Sequence, residues 1–122
     1  MTNTSLDIAR ELGKSIINSD IYKDYILKEE KYNNDDAAMH LLNEIENNNI
    51  IYKKMISDKN FNDAKLIKKK LDELEKKMKA NKSYIKYIES KNRVENLTKN
   101  INSIIEFYTG FNMSSNCSKC SK

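Results

Sequence analysis

The 122-residue chain has no proline, no tryptophan and only two glycines, Gly13 and Gly110. Sandwiches and barrels link many short strands through Gly- and Pro-rich turns, so this scarcity argues against an all-β fold. It also excludes a glycine-rich phosphate loop, which needs several glycines in one short segment. His40 is the single histidine, so a His-Glu-x-x-His zinc site is impossible, and no Gly-x-Ser-x-Gly elbow occurs. No run approaches the ~20 apolar residues of a membrane helix. Met1 to Asp7 lacks the basic and apolar regions of a signal peptide. The two cysteines sit together near the end, unlike the spaced framework of a small secreted domain. These absences point to a soluble protein of the reducing cytoplasm.

What is present fits helices. Hydrophobic residues make up 39% and charged residues 33%, which suits amphipathic helices that each bury one stripe. The length is that of one domain. Such a chain buries roughly two-thirds of its unfolded surface, but this composition leaves the core thin and invites a partner. Charge is uneven. Residues 1–50 hold five basic and ten acidic side chains, whereas residues 51–122 hold seventeen basic and eight acidic. A basic half can attract nucleic acid or an acidic protein, although a solvated lysine face is the plainer explanation.

Along the chain, Ser5 can cap a first helix with Leu6, Ile8, Ala9, Leu12, Ile16 and Ile17 on its apolar side. Asn18-Ser19-Asp20 reads as a stop and a fresh N-cap. The second helix carries Ile21, Tyr22, Tyr25 and Ile26 and ends near Asn33-Asn34. Asp35 and Asp36 suit the positive end of a third, patterned by Ala38, Leu41, Leu42, Ile45, Tyr52, Met55 and Ile56. Asn47-Asn48-Asn49 interrupts that pattern without ending the helix, and Asp58-Lys59-Asn60 closes it. Ala64, Ile67, Leu71, Leu74 and Met78 then form a heptad seam. A break at Asn81-Lys82-Ser83 precedes a last helix lined by Val94, Leu97, Ile101, Ile104, Ile105 and Tyr108, stopped at Gly110. The expected fold is an all-α bundle of four to five helices over residues 1–111 with a long C-terminal helical hairpin. A mobile Cys-x-x-Cys tail follows over residues 112–122.

Few residues ask for chemistry. His40 has Asp36 and Glu44 four positions away on either side, but no companion set for catalysis or metal, so a solvated role is expected. Glu29-Glu30 and Asp35-Asp36 lie at helix ends, where carboxylates serve capping. Lys65, Lys68, Lys69, Lys70, Lys76, Lys77 and Lys79 are interleaved with Asp72, Glu73 and Glu75, which favours i,i+4 pairs over a nucleic-acid track. Tyr22, Tyr25, Tyr32, Tyr52, Tyr84, Tyr87 and Tyr108 fit a half-buried core and an interface equally well. Cys117-Ser118-Lys119-Cys120 is the exception, because two thiolates at this spacing can hold one metal or one iron–sulfur cluster. Such a site needs about four ligands, so another chain must supply the rest. An inert tail is the alternative.

The order Ala9-x-x-Leu12-x-x-x-Ile16, Ser19-x-x-Tyr22-x-x-Tyr25, Leu41-Leu42, Asn81-x-x-x-Ile85-x-x-Ile88, Leu97 and Ile101-Asn102-x-Ile104-Ile105 resembles the YlbF/YmcA family of small helical bacterial proteins. The resemblance spans nearly the whole chain. The residues argue against an enzyme, and the resemblance implies an all-α bundle that self-associates or pairs with relatives. It further implies a complex that adjusts ribonuclease Y, and through it mRNA processing, competence, sporulation and biofilm formation. In that complex cysteines bind iron–sulfur clusters, and Cys117 and Cys120 match their placement. A basic RNA-binding module, a helical oligomer with an inert tail and a thiol redox enzyme remain the alternatives.

Overall fold

The computed structural model describes residues 3–112, which form five helices and no strand. They are α1 (Thr4–Ile17), α2 (Asp20–Asn33), α3 (Asp36–Ser57), α4 (Phe61–Lys79) and α5 (Lys82–Thr109). The all-α expectation holds. Each helix begins where a short polar side chain can satisfy the free N–H groups of a first turn. Ser19, Asp35, Asn60 and Asn81 cap α2, α3, α4 and α5. The cap of α1 is Asn3 rather than Ser5: its Oδ1 accepts from the backbone N–H of Ser5 at 3.0 Å and of Leu6 at 3.4 Å. Gly110 ends α5 at φ +78°, a left-handed conformation that a Cβ would disfavour.

The helices pair as α3 with α4 and α2 with α5. Between α3 and α4 the chain reverses in a Schellman turn. Asn60 N–H donates to Met55 O at 2.8 Å, Lys59 N–H donates to Ile56 O at 3.1 Å, and Lys59 takes the left-handed position at φ 60°. The long hairpin turns at Asp58–Asn60, and the two helices of residues 61–109 make little contact with each other. The physical reason lies at the α4–α5 link. Ala80, the C-cap of α4, adjoins Asn81, the N-cap of α5, so no loop residue is available to fold one helix back on the other. The helix ladder breaks there, and residues 61–109 form two separate helices, α4 and α5.

The α3–α4 seam explains why this half holds together. Ala64, Leu71, Leu74 and Met78 are buried and Ile67 half-buried, as the heptad spacing predicts. On α3 the matching line is Ala38, Leu41, Ile45, Asn48, Tyr52 and Met55, all buried or half-buried. Asn48 thus occupies the seam itself. It satisfies its amide within the helix, where Nδ2 donates to Glu44 O at 2.7 Å. A polar seam residue of this kind weakens a hydrophobic interface while favouring one register.

The other pair is held by tyrosines. Tyr32 and Tyr87 stack with centroids 5.0 Å apart and planes 2° from parallel. Tyr25 stacks on the opposite side of Tyr87 at 6.0 Å, and Tyr84 tilts against Tyr32 at 5.6 Å. Arg93 pairs with Asp24 across the helices at 3.3 Å. On α5 the inward line is Tyr87, Ser90, Val94, Leu97 and Ile101, with Ser90 fully buried and its hydroxyl donating to Tyr87 O at 2.7 Å.

The two pairs meet at one junction, where Tyr32, Ala38 and Met78 are buried together with Met39, Leu41, Leu42, Ile45, Tyr84 and Tyr87 packed around them. Above this cluster the Asp35 carboxylate caps its own helix through Ala38 N–H at 3.1 Å. It also accepts from Ser83 Oγ at 2.6 Å and from Asn81 Nδ2 at 3.2 Å. One side chain therefore joins the starts of α3 and α5. The Ser83 hydroxyl, then the Ala38 amide and Asn81, hold the Asp35 carboxyl below the usual carboxylate range.

Two outcomes follow from this packing. Leu71→Ala, at a position only 3% exposed, is predicted to cost about 2–4 kcal/mol in chemical denaturation. Leu66→Ala, on the exposed face of the same helix, should change stability by less than about 0.5 kcal/mol. Because the folded state lowers the Asp35 pKa, its contribution is present above about pH 4 and lost as pH falls further. Melting curves from pH 7 down to pH 3 should show Ser83→Ala less stable than the parent at pH 7, with the difference shrinking in acid.

Candidate protein-interaction surface

α1 is the helix with no buried residue, although its apolar side chains are well segregated. The cause is geometric. α1 meets only the start of α2 and a short part of α5, so nothing covers most of its stripe. Ile8 is 64% exposed and Leu6, Ile17 and Leu12 are also exposed. The end of α5 runs beside it and carries the same character. Phe107 and Tyr108 are each 81% exposed, with their rings edge-on at 5.3 Å, and Ile104, Ile105 and Phe111 join them. Ser5, Ile8, Ala9, Leu12 and Ile105 line a depression of about 390 Å³ where the two helices approach. α1 and Ile105 of α5 thus share an uncovered apolar depression, and the exposed aromatic end of α5 adds apolar surface beyond it. Single exposed apolar residues are ordinary, but a contiguous face of aromatic and aliphatic side chains marks an interaction site.

A smaller apolar depression lies at the hairpin end. Tyr52, Ile56, Phe61 and Ala64 line about 230 Å³, rimmed by Lys65 and Lys68. Ile50 and Leu66 add exposed apolar area nearby.

The other residues singled out in the sequence take structural places. His40 is exposed, with Nε2 2.8 Å from Glu44 Oε1 one turn away. Glu29 accepts from Tyr25 Oη at 2.9 Å, and this carboxylate together with burial pushes the Tyr25 phenol up. Desolvation does the same to Tyr32. Of the seven tyrosines, Tyr32 is buried, Tyr22, Tyr25, Tyr52, Tyr84 and Tyr87 are half-buried, and Tyr108 is exposed. Lys68 pairs with Asp72 at 3.5 Å, as its spacing predicts. Among the described residues no group of three or more His, Cys, Asp and Glu is placed to hold a metal. Every buried side-chain N or O among them has a hydrogen-bond partner. Cys117 and Cys120, the expected half of an iron–sulfur or zinc site, lie outside the described residues.

Asn48 and Ser90 are the buried polar residues that the sequence reading passed over. The signal was available in both cases: each falls on the three-and-four spacing of its neighbours, 45-48-52 and 87-90-94.

Among the described residues no helix is long and apolar enough to cross a membrane. Comparison with curated proteins gives no match. A family model described as "Control of competence regulator ComK, YlbF/YmcA" matches residues 5–107, which takes in all but the ends of the five helices. Because the match runs through most of every helix and spans well over half of the chain, the protein belongs to the YlbF/YmcA family, a family of competence-control regulators.

Proposed function

We propose that this chain is a non-enzymatic adaptor subunit whose α1–α5 face docks related helical proteins in a homo- or hetero-oligomer. The assembly modulates ribonuclease Y-dependent mRNA processing, and through it competence, sporulation and biofilm formation. Cys117 and Cys120 supply two thiolates of an iron–sulfur cluster, or of a zinc site, that another chain completes. The protein acts in the cytoplasm.

The observation that carries this reading is the lack of any buried residue in α1 beside an aromatic-rich helix end. A helix of 14 residues is marginal alone in water, and a partner that covers its stripe supplies the missing apolar burial. The ribonuclease Y and cluster parts rest on the family membership and the Cys-x-x-Cys spacing. A direct RNA-binding role has less support, because the α4 lysines alternate with acids along a solvated helix.

An oxygen-free affinity pull-down from the native host tests this. The tagged parent should recover related helical proteins, ribonuclease Y and iron. Ile8→Glu with Phe107→Glu should recover neither protein while keeping its helix content, since both positions are exposed. Cys117→Ser with Cys120→Ser should lose the iron. Recovery of the parent alone, or of the full complex by the glutamate variant, would contradict the reading.

A further inference from the structure

Beside the junction lies a cleft of about 280 Å³ lined by Lys28, Lys31, Asp35, Lys82, Ser83 and Lys86. It has no part in the apolar docking face. Lys28 and Lys31 of α2 and Lys82 and Lys86 of α5 line it, together with a single carboxylate, that of Asp35. That carboxylate is already engaged, since Asp35 accepts from Ser83, Asn81 and the Ala38 amide. Lys28 pairs with Asp24 at 3.0 Å, outside the lining, whereas Lys31, Lys82 and Lys86 form no ion pair among the described residues. Neighbouring like charges repel, and the repulsion is relieved when an anion enters.

The backbone adds to the same field. The first turns of α1, α2, α3 and α4 each carry an acidic residue, and that of α5 carries none. The positive end of α5 therefore has no acid in its own first turn, and the carboxylate that reaches it is that of Asp35, from the cap of α3.

We propose that this cleft binds the diphosphate group of a small phosphorylated molecule, such as inorganic pyrophosphate or a nucleoside diphosphate. The shape decides between anions. A single nucleic-acid strand needs cations in a track along its backbone, whereas these four lysines line one cleft of limited volume. An acidic peptide spreads its carboxylates along an extended chain. A diphosphate concentrates several negative charges in one group that ammonium donors can grip from several sides. The proposal stands independently of the adaptor reading.

Calorimetric titration of the full chain at low salt tests it, with pyrophosphate as the probe and adenosine diphosphate, orthophosphate and a single-stranded RNA as comparisons. Pyrophosphate and adenosine diphosphate should bind saturably at one site per chain. Lys82→Gln with Lys86→Gln should weaken binding about tenfold or more, and Lys69→Gln with Lys70→Gln on α4 should leave it unchanged. Backbone amide shifts of the parent during the titration should be confined to residues 28–35 and 82–86. Absence of saturable binding, equal weakening by both double variants, shifts spread over α4, or RNA displacing pyrophosphate from these lysines would each overturn the proposal.

Discussion

One carboxylate ties the fold together. Asp35 ends the first helical leg of the hairpin and restarts it as α3, and its oxygens also reach the residues that restart the second leg as α5. Both legs break at the same level, because the N-cap of one contacts the N-cap of the other. The buried Tyr32–Ala38–Met78 cluster lies beneath this contact, and the stacked tyrosines extend it along α2 and α5. A charge-assisted network of this kind is directional, whereas the apolar cluster below it is not. The cluster supplies burial, and Asp35 sets where the two legs bend.

From this junction the core extends in two directions and is thin in both. The α3–α4 arm buries one heptad seam with an asparagine within it, and the α2–α5 arm relies on tyrosines whose hydroxyls need partners. α5 then continues past the start of α2 and presents its aromatic end beside α1. α1 gains little from the rest of the chain, which makes it the element most free to serve another molecule. The exposed apolar face is a consequence of having two narrow arms instead of one shared core.

Much of the fold was legible in the residues. Ser19, Asp35, Asn81 and Gly110 mark helix boundaries through capping chemistry that depends only on local backbone geometry. The α4 seam was equally plain, since its apolar spacing is uninterrupted. The topology was harder to read. That α5 returns to α2 and not to α4 follows from the absence of loop residues between Ala80 and Asn81, a feature of the turn and not of hydrophobic periodicity. Asn48 reads as an interruption of the seam and Ser90 gives no apolar signal, yet both are buried, because a helix can satisfy a buried side chain with its own carbonyls. The docking face was half legible. The α1 stripe could be seen, but apolar residues on a helix predict burial, and only the tertiary arrangement shows that this stripe has no cover. The lysine cleft combines residues more than fifty positions apart and had no sequence signal.

The weak hold of the chain on α1, and the cover that we propose a partner gives it, are both open to measurement. Hydrogen–deuterium exchange on the dilute protein, alone and in the recovered complex, measures them most directly. The α1 amides of the isolated chain should exchange far faster than those of the α3–α4 seam, and become protected on assembly. Protection of α1 in the isolated monomer equal to that of the seam, unchanged by any partner, would contradict both.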